Sequence, residues 1–171
     1  MRRGITIFVC TVLLCGLSNS QTKPELKRSL KETLAWMDHF STEHGFLAVH
    51  RQFTRTNRLS GEGCIVYVEV HYPRATMSSR VKTSTAEVNL ADIDPQVRMT
   101  MDEKGRTYAV RFERTDREKK NHELLEYGDG SKSEGFAGEE DLYFNSEKSA
   151  RRFARALAHA ISLCGGTSAP F

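Results

Sequence analysis

The sequence predicts an α+β fold: an antiparallel sheet, or partly open barrel, of about five to seven strands with an N-terminal and a C-terminal helix packed on it. Three observations carry that expectation. Apolar residues recur with period two between Phe46 and Phe112, they recur at helical spacing at both ends of the chain, and most of the strands are apolar on one face only.

The first residues stand apart from this pattern. Arg2 and Arg3 are followed by an apolar run from Ile5 to Leu17 and by the small residues Ser18, Asn19 and Ser20. This is the order of a secretory signal peptide, residues 1–20. The run is shorter than the roughly 20 residues of a spanning helix, so no transmembrane span is expected after cleavage. The chain carries 25 Lys plus Arg against 22 Asp plus Glu. Removing Arg2 and Arg3 leaves 23 against 22, a formal +1. Such a balance speaks against nucleic acid as a partner. The expected location is outside the cytoplasm, periplasmic or extracellular.

Residues 21–171 then read as a single domain. Pro24 suits the first position of a helix whose stripe is Leu26, Leu30, Leu34, Met37 and Phe40, and Gly45 can end it in the left-handed conformation. Leu47 and Val49 suggest a strand, and 57–63 reads as a polar connection. The clearest strand alternates Cys64, Val66, Val68 and Val70 with Ile65, Tyr67, Glu69 and His71. A more polar strand spans 80–90, Ala91 to Pro95 turn the chain, and Val97 to Met101 pairs with Tyr108 to Phe112 across a glycine hairpin loop. Residues 114–140 are rich in charge and glycine, which predicts a long exposed loop. A short strand at 141–144 leads into a helix over 146–164 with the stripe Phe153, Leu157, Ile161 and Cys164.

Two motifs carry a resemblance. Ala91-Asp92-Ile93-Asp94-Pro95 follows a strand, and Ala150-Arg151-Arg152-Phe153-Ala154-Arg155-Ala156-Leu157 runs towards Leu163-Cys164-Gly165-Gly166. Over most of residues 24–166 the chain resembles small uncharacterised secreted domains of soil bacteria of the acidobacterial type. The order of strand, meander and closing helix is similar to a pleckstrin-homology-type arrangement. The resemblance implies a shared fold and brings no known activity.

The chemistry-bearing residues are few. Cys10 and Cys15 leave with the signal, so Cys64 and Cys164 are expected to form a disulfide in an oxidising compartment. The alternative, a reactive thiol, needs an exposed electropositive site, whereas both cysteines lie on apolar faces. The histidines lack helical zinc spacing, and Asp129, Ser131, Ser133 and Glu140 match a calcium loop only partially, with Glu134 where the turn glycine belongs. No metal, cofactor or catalytic motif emerges. Lys148, Arg151, Arg152 and Arg155 line one face of the closing helix, and Arg111 and Lys119 could extend that patch.

Two functional expectations follow. One is an exported, non-catalytic binding or envelope-associated module that docks an acidic partner, a protein or a cell-envelope polymer, through the closing helix. The other is a small secreted hydrolase whose site gathers His50, His71, Asp92 and Asp94.

Overall fold

The computed structural model describes residues 29–49, 52–72, 81–101 and 107–166. The signal segment 1–20, His50 and the hairpin loop 102–105 lie outside the described residues.

Helix α1 runs Leu30–His44. It begins at Leu30 because Ser29 is extended and closes a capping box: Glu32 N donates to Ser29 Oγ at 3.3 Å, and Ser29 N donates to Glu32 Oε2 at 2.9 Å. Pro24 and Leu26 lie outside the described residues. Leu34, Met37 and Phe40 form its buried stripe. Gly45 ends the helix at φ −85°, so the left-handed conformation expected there is not used. Glycine is needed for space, since a Cβ would run into Ser41 O and Asn57 O.

Strands β1 (Phe46–Val49), β2 (Gln52–Glu62), β3 (Ile65–His71) and β4 (Val81–Asn89) form a meander. After a 3-10 turn at Leu90–Asp92 the chain continues as β5 (Arg98–Met101), β6 (Tyr108–Glu113), β7 (Asn121–Tyr127), β8 (Lys132–Ala137) and β9 (Glu139–Phe144). Helix α2, Glu147–Leu163, closes the fold. The six-stranded sheet has the order β1-β2-β3-β4-β7-β8, the three-stranded sheet the order β5-β6-β9, and every strand pairing is antiparallel. A single bridge from Gly45, next to β1, to Phe144 of β9 links the two sheets, and another joins Ile93 to Arg114 in the connections that follow β4 and β6.

The α+β class and the terminal helices are as the sequence predicts. The strands beyond the expected number come from two stretches read as irregular. Residues 57–63 belong mostly to β2, where Leu59 is fully buried and Asn57 Nδ2 donates to Tyr143 O at 2.9 Å. Residues 114–140 are not one long loop: 121–137 fold into the β7–β8 hairpin, turned at Gly130 with φ +82°.

The core lies between the sheets and under both helices. Phe144 of β9 packs on Phe153 of α2 at 5.0 Å between ring centroids, and Phe40 of α1 stands 6.3 Å and 6.5 Å from them. Val66, Val68, Val88, Val110, Phe112 and Leu142 complete the interior from the strands. Burial of these side chains stabilises by roughly 1.5–3 kcal/mol each and fixes the two helices against one another. The Cys64–Cys164 disulfide adds a covalent tie, with a Cα–Cα distance of 5.6 Å across a sequence separation of 100. It joins the β2–β3 turn to the end of α2.

Candidate functional site: an arginine–tryptophan cleft on the helix pair

The closing helix places its basic residues where the sequence puts them. Ser146 caps it by accepting from Ser149 N at 3.1 Å. Ala150, Phe153, Leu157, Ala160 and Ile161 are buried, which turns Lys148, Arg151, Arg152 and Arg155 to the exposed side.

These four cations are not equivalent. Arg151 is engaged one turn back, with Nε 2.7 Å from Glu147 Oε1. Arg152 leans over α1, its guanidinium carbon 5.6 Å from the Trp36 ring centroid and 5.2 Å from that of Phe40. Trp36 itself stacks on Phe40 at 4.5 Å with 24° between the planes. Lys148 and Arg155 have no hydrogen-bond or ion-pair partner among the described residues. Trp36, Arg152, Arg155 and Ala156 together line an open cleft of about 190 Å³.

The arrangement offers a flat aromatic ring beside two guanidinium groups. Arginine presents planar donors, and its stack on aromatic faces leaves the outward N–H groups available to carboxylate or phosphate. Trp36 is the component the sequence reading missed. It sits beside the apolar stripe of α1 rather than on it, and only the packing of α1 on α2 brings it to Arg152.

Arg111 and Lys119 do not extend the patch. Arg111 lies on β6 and makes two 2.8 Å bonds to Asp141, which raise its pKa above the usual arginine value by hydrogen bonding and by charge. Lys119 pairs with Asp116 at 3.8 Å. Both are held by local carboxylates.

Among the described residues of the scattered hydrolase constellation, His71 is not brought to the turn of Asp92 and Asp94. His71 pairs with Thr83 at one end of the β3–β4 ladder, while Ile65 pairs with Asn89 at the other, next to the Asp92 turn. Six residues of extended strand separate the ends by roughly 20 Å. Asp92 is held by Arg114 at 2.7 Å, and Asp94 accepts from Gln96 N at 2.8 Å in its own turn. The partial calcium pattern also dissolves. Asp129 accepts from Ser131 in the hairpin turn, Ser133 bonds Tyr127, and Glu140 points inward from β9. No group of three or more His, Cys, Asp or Glu among the described residues could hold a metal ion. No helix of the described residues is long and apolar enough to cross a membrane.

A second polar cluster occupies the seam between the sheets. Glu140 sits on the core face of β9 beside Leu142 and Phe144, only 9% exposed. Asn121 donates to it, Glu123 faces it and is itself held by the hydroxyl of Ser84, and Arg55 approaches from β2. Burial foremost, with Glu123 and Asp141 adding repulsion, pushes the Glu140 carboxyl up to about 7 against the opposing pull of Asn121 and Arg55. Arg55 is clamped over the Tyr143 ring at 4.5 Å. The cluster joins β4, β7 and β9 across the seam.

No protein-family model matches the chain, and no curated protein or solved structure does either.

Proposed function

We propose that the protein is an exported, non-catalytic binding module that docks an acidic partner on the face shared by α1 and α2. The observation that carries this reading is the pair Arg152 and Arg155 beside Trp36 in an open cleft, without a carboxylate closing it. A solvated basic helix needs no such aromatic partner. The separation of His71 from the turn of Asp92 and Asp94 favours this reading over a hydrolase site. The signal-like start and the Cys64–Cys164 bridge favour an oxidising location, periplasmic or extracellular.

Retention on an immobilised polyanion tests the proposal. Arg152→Glu with Arg155→Glu should elute at clearly lower salt than the parent. Lys82→Glu with Lys132→Glu changes net charge equally on the far sheet and should elute close to it. Equal losses from the two pairs, with native circular dichroism, would overturn docking at the helix face and leave only bulk charge.

A further inference from the structure

We infer that the partner taken by the helix face is a carboxylated polysaccharide, read through stacking of a sugar ring on Trp36 and pairing of its acid groups with Arg152 and Arg155. The inference rests on the docking reading above and narrows it to one ligand class.

Three features of the cleft select this chemistry. The first is size. About 190 Å³ lies below the roughly 300–1,000 Å³ of pockets that enclose whole small molecules, so the cleft receives one unit of something larger. The second is hydrogen-bonding character. The lining side chains Trp36, Arg152 and Arg155 can donate and cannot accept, and the helix backbone beneath them is internally bonded. A ligand rich in acceptors, carboxylates above all, is satisfied there. The third is the aromatic surface. Phosphate polymers satisfy guanidinium groups equally well, yet present no apolar face to an indole ring. A pyranose has one, on its axial C–H side.

Three cations stand in line along the helix beside the cleft. Lys148, Arg152 and Arg155 follow one another at i, i+4 and i+7 on one side of α2, a line of about 10 Å at the helical rise. The nearby acids of α1 are engaged: Glu32 in the Ser29 capping box, and Glu43 3.4 Å from His39. Among the described residues no acid lines the cleft, and Glu147 on the same helix is held by Arg151.

The molecule carries its own reporter, because Trp36 is its single tryptophan. Emission should be followed while short galacturonate oligomers, a glutamate peptide and inorganic polyphosphate are titrated separately into the full mature protein. The galacturonate oligomer should shift or quench Trp36 at lower concentration than the other two. Arg152→Ala with Arg155→Ala should raise its half-saturation about tenfold or more, the loss expected for charge-assisted bonds. By calorimetry, Trp36→Ala should weaken the same oligomer by a similar factor while Trp36→Phe, which keeps a ring, weakens it less. A response to peptide or polyphosphate equal to or stronger than that to galacturonate would overturn the sugar assignment and leave acidic docking standing. Silence towards all three would overturn both.

Discussion

Asn121 Nδ2 donates to Glu140 Oε1 at 3.2 Å inside the seam between β7 and β9. The oxygen of the same amide, Asn121 Oδ1, accepts from Arg114 at 3.2 Å, and Arg114 in turn holds Asp92 at 2.7 Å. One asparagine therefore connects a buried acid to the turn that follows β4.

The position of Glu140 makes stability depend on pH in a defined direction. Its folded pKa lies near 7, raised from 4.5, so the native state binds the proton more tightly than the unfolded chain. Stability from this group is present below about 4.5 and is lost as pH rises towards 7. The full loss is on the order of 3 kcal/mol at 1.36 kcal/mol per pKa unit. Glu140→Gln keeps an acceptor for Asn121 and removes the charge. Urea unfolding at pH 5 and pH 8 should show a smaller difference between the two pH values in the variant, with a gain at pH 8. An unchanged difference would mean that Glu140 is not the group responsible.

The disulfide fixes the far end of α2, and its removal should be felt globally. Cys64→Ser with Cys164→Ser is expected to lower stability by about 2–5 kcal/mol, and a reductant should reproduce that loss in the parent. Thermal unfolding with and without reductant measures it, and intact mass after alkylation counts the thiols. Alkylation of Cys64 and Cys164 in the unreduced protein would contradict the bond.

Phe153 is the hub where α2 meets β9 and α1, at 5.0 Å from Phe144 and 6.5 Å from Phe40. Phe153→Ala should destabilise by about 3–5 kcal/mol, because the lost ring leaves a void in a close-packed region. Chemical denaturation gives the value. A change below about 1 kcal/mol would show that the two helices do not share this interior.

Ser29 sets where α1 begins, and α1 presents Trp36. Ser29→Ala should lower stability by about 1 kcal/mol through loss of the cap. Unfolding followed by circular dichroism tests this, and an unaltered midpoint would remove Ser29 from the account of the helix start.

The residues explain why some of this was legible in sequence and some was not. Val66, Val68 and Val70 against Tyr67 and Glu69 announced a strand because one face is apolar and the other wet. Phe153, Leu157 and Ile161 announced α2 for the corresponding reason at helical spacing. Strand β7 gave no such signal. Its inward side carries Asn121 and Glu123, satisfied by Glu140 and Ser84 instead of by apolar contact, so period two never appears in its hydrophobicity. Strand β8 is interrupted by Gly135 and exposes Phe136 to 67%, which reads as a loop. Cys64 and Cys164 were readable as a pair because both lie on apolar faces outside the first twenty residues. The basic face of α2 was readable from spacing alone, but the cleft was not. It depends on Trp36 from a helix more than a hundred residues earlier, and contacts at that separation leave no local mark.

The most direct test of the central claim is to locate the docking face by nitrogen-15 NMR as a galacturonate oligomer is added to the folded protein. The indole N–H of Trp36 and the Nε–H resonances of Arg152 and Arg155 should move first and furthest, with Arg98, Arg111 and the β7–β8 hairpin unaffected. Perturbations centred on the sheets, or no perturbation at Trp36 and Arg155 while other sites respond, would contradict it.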